Sequence, residues 1–171
     1  NAANEDPNLM CLPSGVPRMS PYPWRIVQTP MNPDESHIFI LFEGNIHSYR
    51  QIFMDGRAHT ENPDPTWYGE SIGWYEGDTL VGDTIGYHDK TWFSFQGHPH
   101  SEALHTVERF TRVDASTLSW EITIEDPVAY EKPFTVQTEA KILAGELMEY
   151  ICTENNTNIG NMRGPARNPG N

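Results

Sequence analysis

The sequence predicts an all-β domain whose strands form an antiparallel up-and-down β-barrel, with a β-sandwich as the alternative. Three observations favour this class. Apolar residues recur with a period of two in the middle of the chain, acid–Gly turn signals separate the runs, and no window of about eleven residues has a helical period. A chain of 171 residues is long enough for one such domain with its own core.

The clearest strand is TLSWEITIED, residues 117–126. Its large apolar side chains alternate with Ser, Glu and Thr, which is typical of a half-buried strand. The members of the apolar face are Leu118, Trp120, Ile122 and Ile124. A turn at residues 114–116 joins this strand to the preceding FTRV run, which predicts a hairpin.

Other elements follow the same logic. SIGWYEGDTLVGDTIGY predicts a hairpin that turns at residues 76–78, and HIFILFEG and YRQIFMDG are short runs that each end on an acid–Gly pair. KPFTVQTEAKILAGELMEYICTEN predicts two more strands about residues 144–145. We therefore expect roughly eight to ten antiparallel strands, and a sheet of this size hides its edges best by closing into a lipocalin-like barrel.

Two long segments interrupt the meander, at residues 57–69 and 87–103. Long loops in a compact β domain are usually functional or disordered, and the aromatic residues in both segments argue against disorder. We expect both loops to fold over one mouth of the barrel.

The ends of the chain differ from its middle. Residues 1–24 are rich in Pro and predict an extended arm, residues 25–155 predict the single barrel domain, and residues 156–171 form a low-complexity tail of Asn, Gly and Pro. If these terminal segments are ordered, a neighbouring subunit is one candidate for holding them, which would make the chain a homo-oligomer or part of an assembly.

Charge and cysteine content bound the partners and the compartment. With 11 Lys and Arg against 24 Asp and Glu, the net charge is −13, which disfavours nucleic-acid binding. No run is apolar enough for a membrane span.

Because the chain starts at Asn1, we expect that a leader has been removed, so that the protein is secreted or periplasmic. Cys11 and Cys152 would then form a disulfide, with two buried free thiols as the alternative.

The pattern DGR…PTW…EGDTLV…GHPHSEAL…ERF, between residues 51 and 155, resembles a large group of uncharacterised secreted bacterial proteins. The resemblance implies a shared β-rich fold and export from the cell. It implies no activity, cofactor or catalytic residue.

GHPHSEALHTVERF, residues 97–110, is the strongest candidate for a site. In an extended segment, His98 and His100 would point to the same side, as two ligands of Zn²⁺ or Cu²⁺ do. With His105 they form the predicted metal site; the alternative is that they hydrogen-bond within a loop or act without metal. Glu102 and Asp64 are the acids we expect to share proton transfer with His98 and His100. Other candidates for the third metal ligand are Glu102, His88 and His59.

Aromatic and cationic residues near the turns predict a ligand pocket, because small-molecule sites combine aromatic walls with a few convergent polar groups. The predicted ligand-binding residues are Trp67, Tyr68, Trp92, Phe95, Arg57 and Arg109. In the Glu108-Arg109 pair we also expect one partner to face inward and form an internal ion pair.

Three functions fit these features. The first is an enzyme of the lyase, isomerase or hydrolase class that uses His and carboxylate groups, with or without a divalent metal, on a small cyclic or carbohydrate-like molecule. The second is a non-enzymatic barrel that carries a small molecule. The third is a structural subunit of an extracellular assembly.

Overall fold

The computed structural model describes residues 6–18, 22–30, 32, 36–44, 48–94, 96–152 and 154. In these residues the chain forms eight strands and one short 3-10 helix, over Pro7–Met10, and contains no α-helix. The strands are β1 (Trp24–Gln28), β2 (His37–Phe42), β3 (Tyr49–Phe53), β4 (Glu70–Glu76), β5 (Thr79–Ile85), β6 (His105–Arg112), β7 (Thr117–Glu125) and β8 (Phe134–Lys141). The predicted all-β class is confirmed.

β6 and β7 show most clearly why the sequence alternates. They pair antiparallel from His105 opposite Glu125 to Arg112 opposite Leu118. Every second residue of β6 from Thr106 to Phe110 is buried, and the same holds for most of β7, because one face packs on the core while the other meets solvent. The predicted turns at residues 76–78 and 114–116 connect β4 to β5 and β6 to β7, as expected.

The up-and-down antiparallel pattern is wrong at one place. β3 and β4 pair in parallel, through Ile52 opposite Ser71 and Phe53 opposite Ile72. A parallel pair needs a crossover that returns the chain to the same end of the sheet. The segment over residues 54–69, which contains the predicted loop at 57–69, is that crossover, so this loop changes the topology of the sheet.

The eight strands lie in one curled sheet in chain order, which forms a half-barrel. Among the described residues β1 and β8 are the two edges and do not pair with each other, so hydrogen bonding does not close the barrel. The core fills the concave side, where Phe110 stacks on Trp120 with ring centroids 5.6 Å apart. Its buried apolar members are Val16, Ile38, Ile40, Phe42, Ile52, Leu80, Tyr87, Leu104, Phe110, Trp120, Ile122 and Ile124.

A buried ion pair lies within this core. Arg50 and Glu108 are 1% and 0% exposed and form a salt bridge between Nη2 and Oε2. Arg50 also donates to Ser71 Oγ (3.0 Å) and Thr84 Oγ1 (2.7 Å), and Trp120 Nε1 donates to Glu108 Oε1 (3.1 Å). The expected inward partner of the Glu108-Arg109 pair is therefore Glu108, with Arg50 as its counter-charge.

The second strand predicted after residue 145 is absent: within the described part of residues 142–152 no strand forms. The chain instead crosses toward the opposite edge of the sheet. Arg25 on β1 pairs with Glu146 (2.8 Å), and Glu43, just after β2, accepts from the Met148 backbone N–H (2.9 Å). These contacts take the place of the predicted hairpin, in which the chain would turn back and pair with β8.

The predicted disulfide is confirmed. Cys11 and Cys152 are bonded, with a sequence separation of 141 residues. The amino-terminal arm packs on the sheet through Val16, which is 2% exposed, and Arg18 pairs with Asp6 (2.6 Å between Nη1 and Oδ1). The predicted tail, residues 156–171, lies outside the described residues. No helix in the described part of the chain is long and apolar enough to cross a membrane.

Candidate functional site

The two long loops meet at one end of the sheet. Thr66 in the crossover and Tyr87 after β5 form an isolated parallel bridge. The Thr66 N–H donates to the Gly86 carbonyl (2.9 Å), and the His88 N–H donates to the Thr66 carbonyl (2.8 Å). At this end β4 begins, β5 ends, β6 begins and β7 ends. We call it the histidine–carboxylate end, because His59, His88, His98, His100 and His105 all belong to it or to its loops.

Asp83 lies at the centre of a chain of side chains on the outer face of the sheet. Its Oδ1 atom is 2.7 Å from His59 Nε2 and 3.0 Å from His105 Nε2. The strand register explains the second contact: Asp83 faces Val107, two residues from His105 and on the same face. The crossover loop places His59 on the other side of Asp83.

Carboxylates also face the remaining nitrogens of both rings. His59 Nδ1 lies 3.3 Å from Glu70 Oε1, and His105 Nδ1 lies 3.5 Å from Glu125 Oε2. Glu70 in turn accepts from the Thr60 N–H (2.7 Å) and hydroxyl (2.6 Å), which holds the crossover loop against β4. We call Glu70, His59, Asp83, His105 and Glu125 the outer-face array.

Contacts within the array raise the pKa of His105 and lower the pKa of Asp83 and Glu70. The hydrogen bond with Asp83 raises the pKa of His105, against the effect of partial burial. Burial would raise the pKa of Asp83, but its hydrogen bonds with His105 and His59 outweigh this and lower it. In Glu70, burial is likewise outweighed by the bonds from Thr60 and His59, so its pKa is lowered. The array therefore favours the ionised forms of Asp83 and Glu70 and the protonated form of His105.

A second group lies in the loop after β5. Ligand atoms of His88, Asp89 and Glu102 all lie within 4.8 Å of one another. His88 Nδ1 is 3.1 Å from Asp89 Oδ1, and the His88 ring packs against Trp67, with centroids 5.3 Å apart. We call His88, Asp89 and Glu102 the loop cluster. Glu102 and, among the further candidates, His88 were predicted from the sequence.

His98 and His100 lie in different surroundings, although one residue separates them. His98 is exposed, stacks on Phe93 and bonds through Nδ1 to Ser94 Oγ (2.6 Å). His100 is 6% exposed, and its two nitrogens contact Thr91 Oγ1 (2.5 Å) and the Ser101 carbonyl (3.0 Å). With His105 bonded to Asp83, the three histidines have separate partners, and their joint ligation of a metal stays a prediction.

Buried Asp126 anchors the same loop to the end of β7. It accepts from the Ser101 N–H (2.6 Å) and hydroxyl (2.8 Å). Burial would raise the pKa of Asp126, but these bonds and those from the Ala129 and Val128 N–H groups lower it. The segment that carries His100 and Glu102 is therefore held by an ionised, nearly buried carboxylate.

The predicted ligand residues divide into several environments. Trp67 packs on His88, whereas Tyr68 stacks on Phe42 in the core, where burial raises its pKa. The Arg18 guanidinium lies over Trp92, 5.5 Å from its ring centroid. Phe95 lies outside the described residues.

The predicted cations and Asp64 are also dispersed. Arg57 pairs with Asp55 (2.9 Å between Nε and Oδ1) and lies over the Phe53 ring. Arg109 pairs with Glu76 on the outer face. Asp64 is exposed in the crossover loop. Their roles in binding or catalysis stay predictions.

A groove of about 970 Å³ runs between the two edges of the sheet, away from the array. Residues of β1, β7 and β8 and of the segment after β8 line it, among them Trp24, Leu118, Ala140 and Leu147. A smaller cavity of about 200 Å³ lies between the amino-terminal arm and β7–β8 and includes Ser94 and Trp120 in its wall.

Sequence reasoning missed Asp83 and Glu125, which have no motif of their own. The alternation of β5 places Asp83 outward, but only the pairing register of β5, β6 and β7 brings it beside His105 and brings Glu125 opposite. The sequence indicates His59 only as a further candidate for the third metal ligand. Comparison of the chain with protein-family models, curated proteins and solved structures finds no match.

Proposed function

We propose that the chain is an extracytoplasmic enzyme that performs acid–base chemistry, of the lyase, isomerase or hydrolase class, on a small cyclic or carbohydrate-like molecule. The observation that carries the proposal is the Asp83 carboxylate, which bonds one nitrogen of His59 and one of His105. A carboxylate in this position fixes the orientation and tautomer of an imidazole and makes the opposite nitrogen more basic.

His105 is the reactive group in this proposal. Its Nδ1 contact to Glu125 is long, at 3.5 Å, and the Glu125 side chain is 55% exposed. A substrate can therefore displace Glu125 and meet the Nδ1–H of an imidazolium, whose raised pKa suits a general acid. Glu125, which neighbours His105 Nδ1, is the base in this proposal.

His59 and Glu70 position the other side of Asp83. Because Thr60 fixes Glu70 and Glu70 fixes His59, the Asp83 carboxylate is held from both sides. Trp67, half-buried in the adjoining loop, offers an aromatic face on which a sugar-like ring could stack.

The proposed compartment is the periplasm or the exterior of the cell. The disulfide supports it, since disulfides persist where conditions are oxidising, and the resemblance to a group of secreted bacterial proteins points the same way. The proposal includes that the chain belongs to this group of secreted bacterial proteins.

The test is a turnover screen with chromogenic glycosides, uronides, esters and lactones. We expect at least one class to be turned over by the wild type, and Asp83→Asn and His105→Gln to lower kcat by about 10²–10⁴-fold, the usual contribution of a positioned acid or base. Glu139→Gln, an exposed substitution on β8, is the control for charge.

Two results would contradict the proposal. One is the absence of turnover in every substrate class. The other is full activity in Asp83→Asn with loss of activity in His98→Ala or His100→Ala, which would place the catalytic group in the loop predicted from the sequence.

A small-molecule carrier is the second candidate, and the groove between the sheet edges favours it. Native mass spectrometry of protein purified from its source compartment would detect a retained ligand. Replacing Leu118 in the groove wall by Asp should release that ligand if the groove holds it.

A further inference from the structure

We propose that the loop cluster binds one divalent transition-metal ion, with Zn²⁺ as the best-matched ion. His88, Asp89 and Glu102 offer one nitrogen and two oxygens that lie within 4.8 Å of one another, so small side-chain movements bring all three around a single ion. The inference is independent of the proposed acid–base function, because metal binding is measured without any substrate.

The donor set selects the class of ion. Imidazole nitrogen with carboxylate oxygen suits Zn²⁺ and Mn²⁺, whereas Ca²⁺ prefers six to eight oxygen ligands. Three protein ligands also leave coordination positions open for water or an added molecule, as in catalytic zinc sites. The net charge of −13 raises the local concentration of any cation.

The two halves of the cluster come from different parts of the loop, and the structure fixes both. Thr66 accepts from the His88 N–H (2.8 Å), which ties the first half to the crossover loop. The second half is tied by Asp126, which holds Ser101 next to Glu102.

His100 joins these halves and is the positioning residue of the proposed site. Its buried ring contacts Thr91 Oγ1 (2.5 Å), three residues after His88, and the carbonyl of Ser101 (3.0 Å), one residue before Glu102. Both ring nitrogens are therefore occupied within the loop, and His100 supports the ligands without being one of them.

Titration of the chelator-treated full-length protein with ZnCl₂ by isothermal calorimetry tests the proposal. We expect one ion per chain, and at least a tenfold loss of affinity in His88→Gln and in Glu102→Gln. His100→Phe should lower the affinity by about 10–100-fold, the usual effect of removing a residue that orients ligands. Glu139→Gln, an exposed charge substitution on β8, is the matched control and should bind as the wild type does.

A spectroscopic readout keeps the test independent of folding losses. Because the Trp67 ring lies against His88, Co²⁺ at the cluster should quench Trp67 fluorescence, and Trp67→Phe should abolish that quenching while Co²⁺ absorption bands remain. Circular dichroism of each variant confirms that it is folded.

Three outcomes would overturn the proposal. They are the absence of saturable Zn²⁺ binding, binding that survives in both His88→Gln and Glu102→Gln, and binding that is lost instead in His59→Gln or His105→Gln. The last outcome would place the ion at the outer-face array.

Discussion

Replacing Glu108 by Gln would remove one negative charge from the centre of the half-barrel while keeping the shape of the side chain. The amide oxygen can still accept from Trp120 Nε1, now 3.1 Å from Glu108 Oε1. Arg50, however, would keep its positive charge at 1% exposure without the counter-charge of Glu108. The substitution therefore isolates the effect of charge pairing in the core.

Removing one partner of a buried ion pair usually costs about 3–5 kcal/mol. The lower part of this range applies, because Arg50 retains hydroxyl acceptors in Ser71 and Thr84. We expect a loss of about 3 kcal/mol in the free energy of unfolding, which corresponds to a melting temperature lowered by roughly 6–12 °C for a chain of this size.

Urea denaturation followed by tryptophan fluorescence measures this loss. The matched control is Arg109→Gln, next in sequence but on the exposed outer face, where its pair with Glu76 should contribute far less. The double variant Arg50→Met with Glu108→Leu should regain most of the lost stability, because it removes both buried charges. The reasoning is refuted if Glu108→Gln unfolds at the wild-type urea concentration, or no earlier than Arg109→Gln.

Three further predictions concern the disulfide, the array and two turns. Replacing Cys11 and Cys152 by Ser should lower the free energy of unfolding by up to about 5 kcal/mol in the chain-entropy model, measured by urea denaturation; an unchanged midpoint would contradict it. The pKa of His105 in the folded protein is raised above 6.5, its value in the unfolded chain. The contribution of His105 to the free energy of unfolding is therefore complete below that pH and is lost as pH rises through the folded pKa. The stability difference between wild type and His105→Gln should therefore shrink from pH 5.5 to pH 8.5, and a constant or growing difference would exclude this linkage. Gly69 and Gly77 both have positive φ, but a Cβ at Gly69 would lie 2.6 Å from the Ile85 carbonyl oxygen, whereas one at Gly77 meets nothing within 4 Å. Gly77→Ala should lower the free energy of unfolding by about 1–2 kcal/mol, and Gly69→Ala should lower it by about 1–3 kcal/mol more than that. Thermal denaturation measures both losses, and equal losses would argue against the steric difference.

Period-two alternation made the strands and most turns predictable, because a half-buried strand must alternate. The run 117–126 became β7 with Trp120, Ile122 and Ile124 buried, as expected. The parallel pairing of β3 with β4 was not predictable in the same way. Alternation describes the faces of a strand but carries no information about its neighbour or direction, and only two residue pairs mark this contact.

The candidate site was predictable as a place more than as a set of residues. Two aromatic loops do meet at one end, and Glu102 and His88 were among the predicted groups. Asp83 was missed because an acid at an outward strand position looks like ordinary solvated surface. Its role depends on cross-strand register and on a loop that brings His59 from 24 residues away, and neither is encoded in local spacing.

The single disulfide has a consequence for how the molecule responds to proteases. All eight strands lie between Cys11 and Cys152, so the bond turns the whole sheet into a covalent ring. A single cut in an exposed segment, such as the crossover loop, would open this ring without separating the two pieces, because the sulfur bridge still joins them. A chain cut once in this way keeps its strands in one covalently joined molecule.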